Sequence, residues 1–370
     1  MDDRPLIIGA GPTGLAAALF LAKKGVDCRI LDRAGEATSQ SRAQVVNPRS
    51  LDLLEKAGVS GAMQENGHAI HRTRFYDGWD PFAALEFGDA HPRYPMTVLP
   101  QVQTEALLTE ALASAGIRPE RGIAFESLIQ DEASVTATLV HSGGYREIVE
   151  VPLLLGADGA HSQVRNALEI PFDGSSFPEA WPLYDIQLND PLDLESAHVS
   201  FVDGGLVFLL GLGGGLWRVF ADVPDPLVSL PEGTTCGRIE WQSTFHVGHH
   251  LAARESQGRV ALAGDAAHLH SPVAARGMNL GIEDAYVFAE CAADALNGKT
   301  SRLDDYGRVR RRVHERVVRR IKALTELARG RPDAVGALRR FALTGMTRFA
   351  PTARAMLDLL TGLDHEIATY

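Results

Sequence analysis

Apolar positions open the chain in a strand, turn, helix, strand rhythm. Leu6-Ile7-Ile8 is a short apolar run that stops at Gly9-Ala10-Gly11-Pro12-Thr13-Gly14. Residues 15–24, rich in Ala and Leu, read as a helix stopped by Gly25, and 27–32 as a second strand ending on Asp32. Helical periods recur over 47–58, with Leu51, Leu53, Leu54 and Ala57 apolar, and over 104–115, stopped by Gly116. The runs 135–140 and 145–151, around Ser142-Gly143-Gly144, predict a hairpin. Leu153-Leu154-Leu155 is a buried strand run leading into Gly156-Ala157-Asp158-Gly159. From about 181 to 246 Pro and Gly become frequent, and β-type runs at 199–202, 206–210 and 216–223 replace the helices. This predicts an inserted antiparallel sheet facing a substrate. A buried strand returns at 259–263, followed by Gly264-Asp265, a helix over 279–295 and further helices over 304–360.

Composition narrows the function. The 370 residues are 45% hydrophobic and 22% charged, ordinary globular usage that excludes disorder as the main state. Lys and Arg total 36 against 47 Asp and Glu, a net charge of -11, which argues against a general nucleic-acid binder. Cys28, Cys236 and Cys291 lie far apart and form neither a disulfide framework nor a Cys-x-x-Cys site. The most apolar N-terminal stretch, 6–22, is broken by the glycine turn, and Met1-Asp2-Asp3-Arg4 is not a basic leader. A cytoplasmic protein without membrane spans is expected.

The glycine turn carries the first chemistry. With a strand before it, a helix after it and an acid at the end of the next strand, it reads as a dinucleotide site. Gly9 makes the tight turn, Gly11 lets backbone approach a pyrophosphate, and Gly14 lets the helix pack on the strand. The helix opening at Pro12-Thr13 offers free N–H groups and a partial positive charge. Asp32, followed by Arg33, accepts from a ribose diol and disfavours a 2′-phosphate, which suits FAD or NAD better than NADP.

Two later motifs complete a set: Gly156-Ala157-Asp158-Gly159-Ala160-His161-Ser162-Gln163-Val164-Arg165 and Gly264-Asp265-Ala266-Ala267-His268. Together the three motifs resemble the FAD-dependent aromatic hydroxylases, the para-hydroxybenzoate hydroxylase-like monooxygenases, over residues 4–300. The resemblance implies an α/β fold with a Rossmann-type FAD-binding domain (1–72 with 93–180 and 250–300). It adds an inserted β-sheet substrate domain (73–92 with 181–249) and a C-terminal helical segment (301–370). It implies that Arg42 and Gln101 contact the cofactor, as do Asp158 and Gly159, with Arg165 available to pair with Asp158. It puts Gly264 and Asp265 at the ribityl chain and Pro272 beside the flavin ring. Gly277, Met278 and Asn279 then open a helix whose N-terminus stabilises the reduced flavin. NAD(P)H would reduce the flavin transiently, and O2 would hydroxylate an aromatic or polyketide-like substrate. Alternatives on the same scaffold are an FAD-dependent reductase or dehydrogenase, or a poorly catalytic flavin-binding protein.

The chain departs from that family where Pro-x-Gly-Gly-x-Gly-Met-Asn is usual. It has Pro272-Val273-Ala274-Ala275-Arg276-Gly277-Met278-Asn279, so Ala274 and Ala275 stand where glycines are expected beside the oxygen-reacting edge. A left-handed backbone there would strain alanine. His270, two residues before Pro272, is a candidate for acid/base work. The clusters His246, His249, His250 and His268, His270 lack acidic or thiol ligands at metal spacing, and no metal is assigned. The basic run from Arg308 to Lys322 alternates with Val309, Val313, Val317 and Ile321 and reads as a solvated helix face. Trp181, Tyr184, Phe201, Phe208 and Trp217 either line a planar-substrate pocket or form sheet core.

Overall fold

A computed structural model describes residues 2–39, 43–88, 90–189, 192–202, 205–330 and 333–368. The apolar run Leu6–Ile8 is the centre of a six-stranded sheet in the order Ser256–Gln257, Val260–Leu262, Leu154–Gly156, Leu6–Ile8, Arg29–Asp32, Glu120–Arg121. All neighbours pair parallel except the first two strands. Parallel strands are buried on both faces, and so the central runs are apolar without alternation. Helix Pro12–Lys23 packs with Gln101–Ser114 and Gly277–Leu296 around one core containing Leu15, Leu19, Leu108, Ile282 and Phe288. Ala-rich faces bring the first and third of these helices close together.

An antiparallel meander, Ile123–Gln130, Val135–His141 and Arg146–Val151, flanks the parallel sheet. The inserted sheet has eight strands in the order His268–Leu269, Thr235–Ala252, Phe172–Asn189, Leu216–Ala221, Gly205–Gly213, Ser196–Val202, Arg72–Asp77, Asp80–Glu86. Two of its features differ from the sequence reading. Its two longest strands, each of 18 residues and paired with one another, run past 181–246 at both ends. Their Gly, His and Ser positions mask the β-pattern there. The sheet is also mixed, because Arg72–Asp77 enters from a remote part of the chain and pairs parallel with Ser196–Val202.

One face of this sheet packs against the helices Arg302–Arg329, Asp333–Arg348 and Ala350–Thr361. Its other face carries a second cluster around Ile186, Trp217 and Val219. No helix among the described residues is long and apolar enough to cross a membrane.

Candidate active site

The parallel strands end side by side, and their exit loops are tied together. The Gly9 N–H donates to Leu31 O (2.7 Å), Ala157 N–H to Ile8 O (2.8 Å) and Ala263 N–H to Gly156 O (2.9 Å). The loop glycines differ in what they face. Gly9 sits at φ +106°, and a Cβ there would overlap the Ala157 carbonyl. A Cβ at Gly14 would overlap Gly9 O, so this helix lies against the strand only because that residue has none. Gly11 faces open space, with no atom within 4 Å of where its Cβ would stand. This bare backbone adjoins the start of a 12-residue helix, opened by Pro12, whose first N–H groups have no helical acceptor.

Asp32 is half-buried beside that loop. Its Oδ2 accepts from Ala10 N–H and its Oδ1 from Ala34 N–H, each at 2.8 Å, so it fixes the glycine loop while presenting a carboxylate edge next to it. Arg33 is exposed. Thr13 joins this loop to another: a Cβ on Gly264 would stand 2.5 Å from Thr13 Oγ1, and one on Gly281 would overlap it. Gly264, at φ +59°, opens the short turn Gly264–Ala266 that carries half-buried Asp265.

Asp158 caps helix Gln163–Ala167, accepting from Ser162 Oγ (2.5 Å) and from the N–H groups of Gln163 (2.7 Å) and Val164 (3.2 Å). It makes no hydrogen bond with Arg165 among the described residues, contrary to the sequence reading. The helix donors occupy the carboxylate. Arg165 instead donates to Ala266 O and Ala160 O, each at 3.0 Å, stitching this turn to the Gly264 turn. Gly159, at φ +84°, faces open space.

The 270–279 segment forms the opposite wall. His270 Nδ1 bonds Ser271 O (3.0 Å), which puts the proton on Nδ1 and a lone pair on Nε2, a buried atom without a partner. Burial lowers its pKa to about 3. At neutral pH it is therefore a neutral hydrogen-bond acceptor and a poor acid or base. Ser271 caps the turn Pro272–Ala274, and Ala275 follows at φ +51°, ψ +33°. The two alanines thus part company. The methyl of Ala274 is buried in the core with Leu280, Val317 and Leu360, not on the ligand side as the sequence reading had it, because the turn winds it inward. Ala275 takes the left-handed conformation that glycine takes freely.

Asn279 holds Ala275 in place. Its Nδ2 donates to Ala275 O (2.7 Å) and Val45 O (2.9 Å), and its Oδ1 accepts from Asn47 N–H (2.9 Å). Gly277 and Met278 open the 20-residue helix at its half-buried end. Gln101 is likewise engaged, with Oε1 accepting from Ala43 N–H (3.1 Å) and Nε2 donating to Glu105 (2.8 Å). Arg42 lies outside the described residues.

Between the 272–274 turn, the inserted sheet and the C-terminal helices lies an apolar cavity of ≈ 60 Å³. Phe201 and Phe208 line it; Trp181 and Trp217 are buried core, and Tyr184 packs on the opposite sheet face.

Beneath Gly264 the structure assembles an ionic network that sequence reasoning missed. Asp284 Oδ2 accepts from Gly264 N–H (2.9 Å) and His268 Nε2 (2.7 Å), and its Oδ1 from Arg310 Nε (2.6 Å) and His314 Nε2 (2.7 Å). His314 Nδ1 meets Glu255 Oε1 at 2.7 Å. Burial opposes the charge on His314, but Asp284 and Glu255 outweigh it and raise the pKa to about 9. Burial likewise works against Glu283, yet Arg276, His365 and Arg310 hold it at about 2. The donor atoms of His268, Asp284 and His314 lie within 4.8 Å of one another, a spacing metals use, but Arg310 already neutralises Asp284. Arg310, only 1% exposed, corrects the reading of its helix as solvated: Arg308, Arg312, Arg316, Arg319 and Arg320 face water and Arg310 does not.

The family model described as FAD binding domain matches residues 4–203 and 229–321. The chain belongs to this family. Pentachlorophenol 4-monooxygenase of Sphingobium chlorophenolicum is 30% identical over 352 residues, 89% of this chain and 65% of that protein. 6-Methylpretetramide 4-monooxygenase of Streptomyces rimosus is 33% identical over 344 residues, 87% of this chain and 61% of that protein. The chain therefore spans less than two thirds of either relative. The solved structure of p-nitrophenol 4-monooxygenase PnpA from Pseudomonas putida DLL-E4 shares the fold, with a TM-score of 0.85 at 22% identity over 97% of this chain and 98% of that one. The bare Gly11 backbone and the adjoining helix start fit the pyrophosphate of FAD, the cofactor of this family.

Proposed function

We propose that the chain is an FAD-dependent monooxygenase hydroxylating an aromatic or polyketide-like small molecule with NAD(P)H and O2. The observation that carries this reading is the placement of Val273. It belongs to the turn beside the cofactor cradle and also walls an apolar cavity floored by the inserted sheet. The monooxygenase names of the two relatives support it.

In this reading Gly9, Gly11, Pro12, Thr13 and Gly14 receive the pyrophosphate and Asp32, with Arg33 beside it, the adenosine ribose. Asp158, Gly159, Gly264 and Asp265 border the ribityl chain. Arg42 contacts the cofactor, Gln101 and Asn279 position the loops around the ring, and His270, Pro272, Ala275, Gly277 and Met278 face it. Bound FAD supplies the redox chemistry, taking hydride from NAD(P)H and reacting with O2 once reduced. The chain orients and shields. The start of helix Gly277–Leu296 stabilises negative charge by ~0.3–1 kcal/mol, and up to ~2 when partly buried. The apolar walls exclude water, and His270 Nε2 offers a lone pair to a donor on cofactor or substrate. A cytoplasmic setting accompanies the reductant, and the three cysteines are free.

The left-handed Ala275 favours a second reading, a reductase or dehydrogenase or a poorly catalytic flavin protein on the same fold. Acid precipitation should release about one flavin per chain, and substrate should speed NAD(P)H oxidation. Label from isotopic O2 in the product separates hydroxylation from reduction. A chain that neither carries nor takes up FAD overturns both readings.

A further inference from the structure

We propose that the part of the substrate entering the cavity is uncharged and apolar, and that arenes presenting a carboxylate there are excluded. The proposal rests on the functional reading above and deepens it. The floor is aromatic and aliphatic: Phe75, Val199, Phe208 and Phe220 lie on consecutive strands, with the rings of Phe208 and Phe220 stacked at 4.5 Å. The roof is Leu324 and Ala328 of one helix, Leu343 of the next, and Met356 and Leu360 of the last. Among the described lining side chains, Thr73 alone carries an oxygen or nitrogen.

An anion in this space finds no counter-charge among the described lining residues. The described cations behind the walls, Arg329 and Arg339, are already engaged. Arg339 lies 3.9 Å from the Phe201 ring centroid and donates to Ala328 O (2.9 Å), while Arg329 pairs with Glu179 (2.7 Å) and Asp222 (3.3 Å). Burying an unpaired carboxylate costs several kcal/mol, which no apolar contact of the same ring repays. Size points the same way. At ≈ 60 Å³ the cavity is less than half of one that holds a whole benzene ring, ~150 Å³, so a group entering it sheds its water, which an anion does at the greatest cost. Thr73 then gives a phenol hydroxyl a side-chain partner that can donate or accept.

The test is calorimetric titration of the protein, with and without added FAD, using 4-methylphenol, toluene and 4-hydroxybenzoate. The first two share shape and lack charge, and the third replaces a methyl by a carboxylate. We expect 4-methylphenol to bind more than 100-fold more tightly than 4-hydroxybenzoate. Thr73→Val, an isosteric change, should weaken 4-methylphenol about 3–10-fold, as for one neutral hydrogen bond, and leave toluene unchanged. Comparable binding of the two para-substituted phenols, or no binding of either neutral probe, overturns the inference. Because the cavity is made of protein alone, the FAD-free titration decides this point even if FAD uptake fails, which would sink the functional reading instead.

Discussion

Ala274 and Ala275 are neighbours of identical chemistry with opposite roles. Ala275→Gly relieves a left-handed alanine, worth ~1–2 kcal/mol. The greater freedom of glycine in the unfolded chain takes back ~0.4–1 kcal/mol. The variant should be as stable as the parent or about 1 kcal/mol more stable. Ala274→Gly removes a fully buried methyl from the core and should cost about 1–2 kcal/mol. Denaturant midpoints check both signs. Of the two, only Ala275→Gly should alter the ratio of oxygenated product to hydrogen peroxide per NAD(P)H; the reverse pattern would remove Ala275 from the ring-facing wall. Thr13 supplies a sharper residue-scale case, wedged between Gly264 and Gly281. Gly281→Ala should destabilise by about 1–3 kcal/mol through overpacking. Adding Thr13→Ala deletes the clashing oxygen and should restore much of that loss, a coupling that a double-mutant cycle reads directly.

At the scale of elements, helix Arg302–Arg329 shows what the sequence discloses and what it hides. Its helical character is legible from periodicity, within the helices expected over 304–360, whereas its end at Gly330 was not read from the sequence. Its buried stripe was not, because Arg310 and His314 interrupt it. Both lie on the helical period of Leu303, Tyr306, Val317 and Ile321, four residues apart, and this spacing is the signal that marks them. Reading charge before period sends them to solvent. Their partners Glu255, Asp284 and Glu283 come from other elements, a pairing that local pattern does not encode. The consequence is measurable. His314 gives both ring hydrogens to carboxylates, so its folded pKa of about 9 stands above an unfolded value near 6.5. Its stabilisation is complete below the unfolded value and is lost as pH rises through the folded one, on the order of 3 kcal/mol in all. The unfolding free energy should therefore fall between pH 6.5 and 9 more steeply in the parent than in His314→Gln. Parallel curves would refute the imidazolium. Glu283 has the opposite sign: its contribution holds above the usual glutamate range and is lost only as pH falls through about 2.

For the molecule as a whole, the glycine motifs located the carboxyl edge of the parallel sheet correctly because each is a local turn with one geometric solution. The inserted sheet was legible in kind but not in extent, since its longest strands are polar and glycine-broken at their ends. Least legible was the way the end of the chain returns to the site. Arg276, fully buried in the 270–279 segment, donates to Leu359 O (3.2 Å) and Glu283 (3.2 Å) and approaches Asp364 (3.6 Å). His365 Nε2 meets Glu283 at 2.8 Å, and Arg49 donates to the carbonyls of Gly362 (3.2 Å) and His365 (2.9 Å). The 270–279 segment is thus backed by residues more than 80 positions away in sequence. Deleting residues 359–370 would leave Arg276 and Glu283 buried with partners missing, a situation that costs about 3–5 kcal/mol per broken pair. The truncated chain should unfold at markedly lower denaturant and bind FAD more weakly, because the loop carrying Ala275 and Gly277 loses its support. His365→Gln, which keeps a donor for Glu283, should lie close to the parent, and His365→Ala between the two. If truncation lowers the denaturant midpoint but leaves the FAD dissociation constant unchanged, the tail contributes packing alone and the loop stands without it.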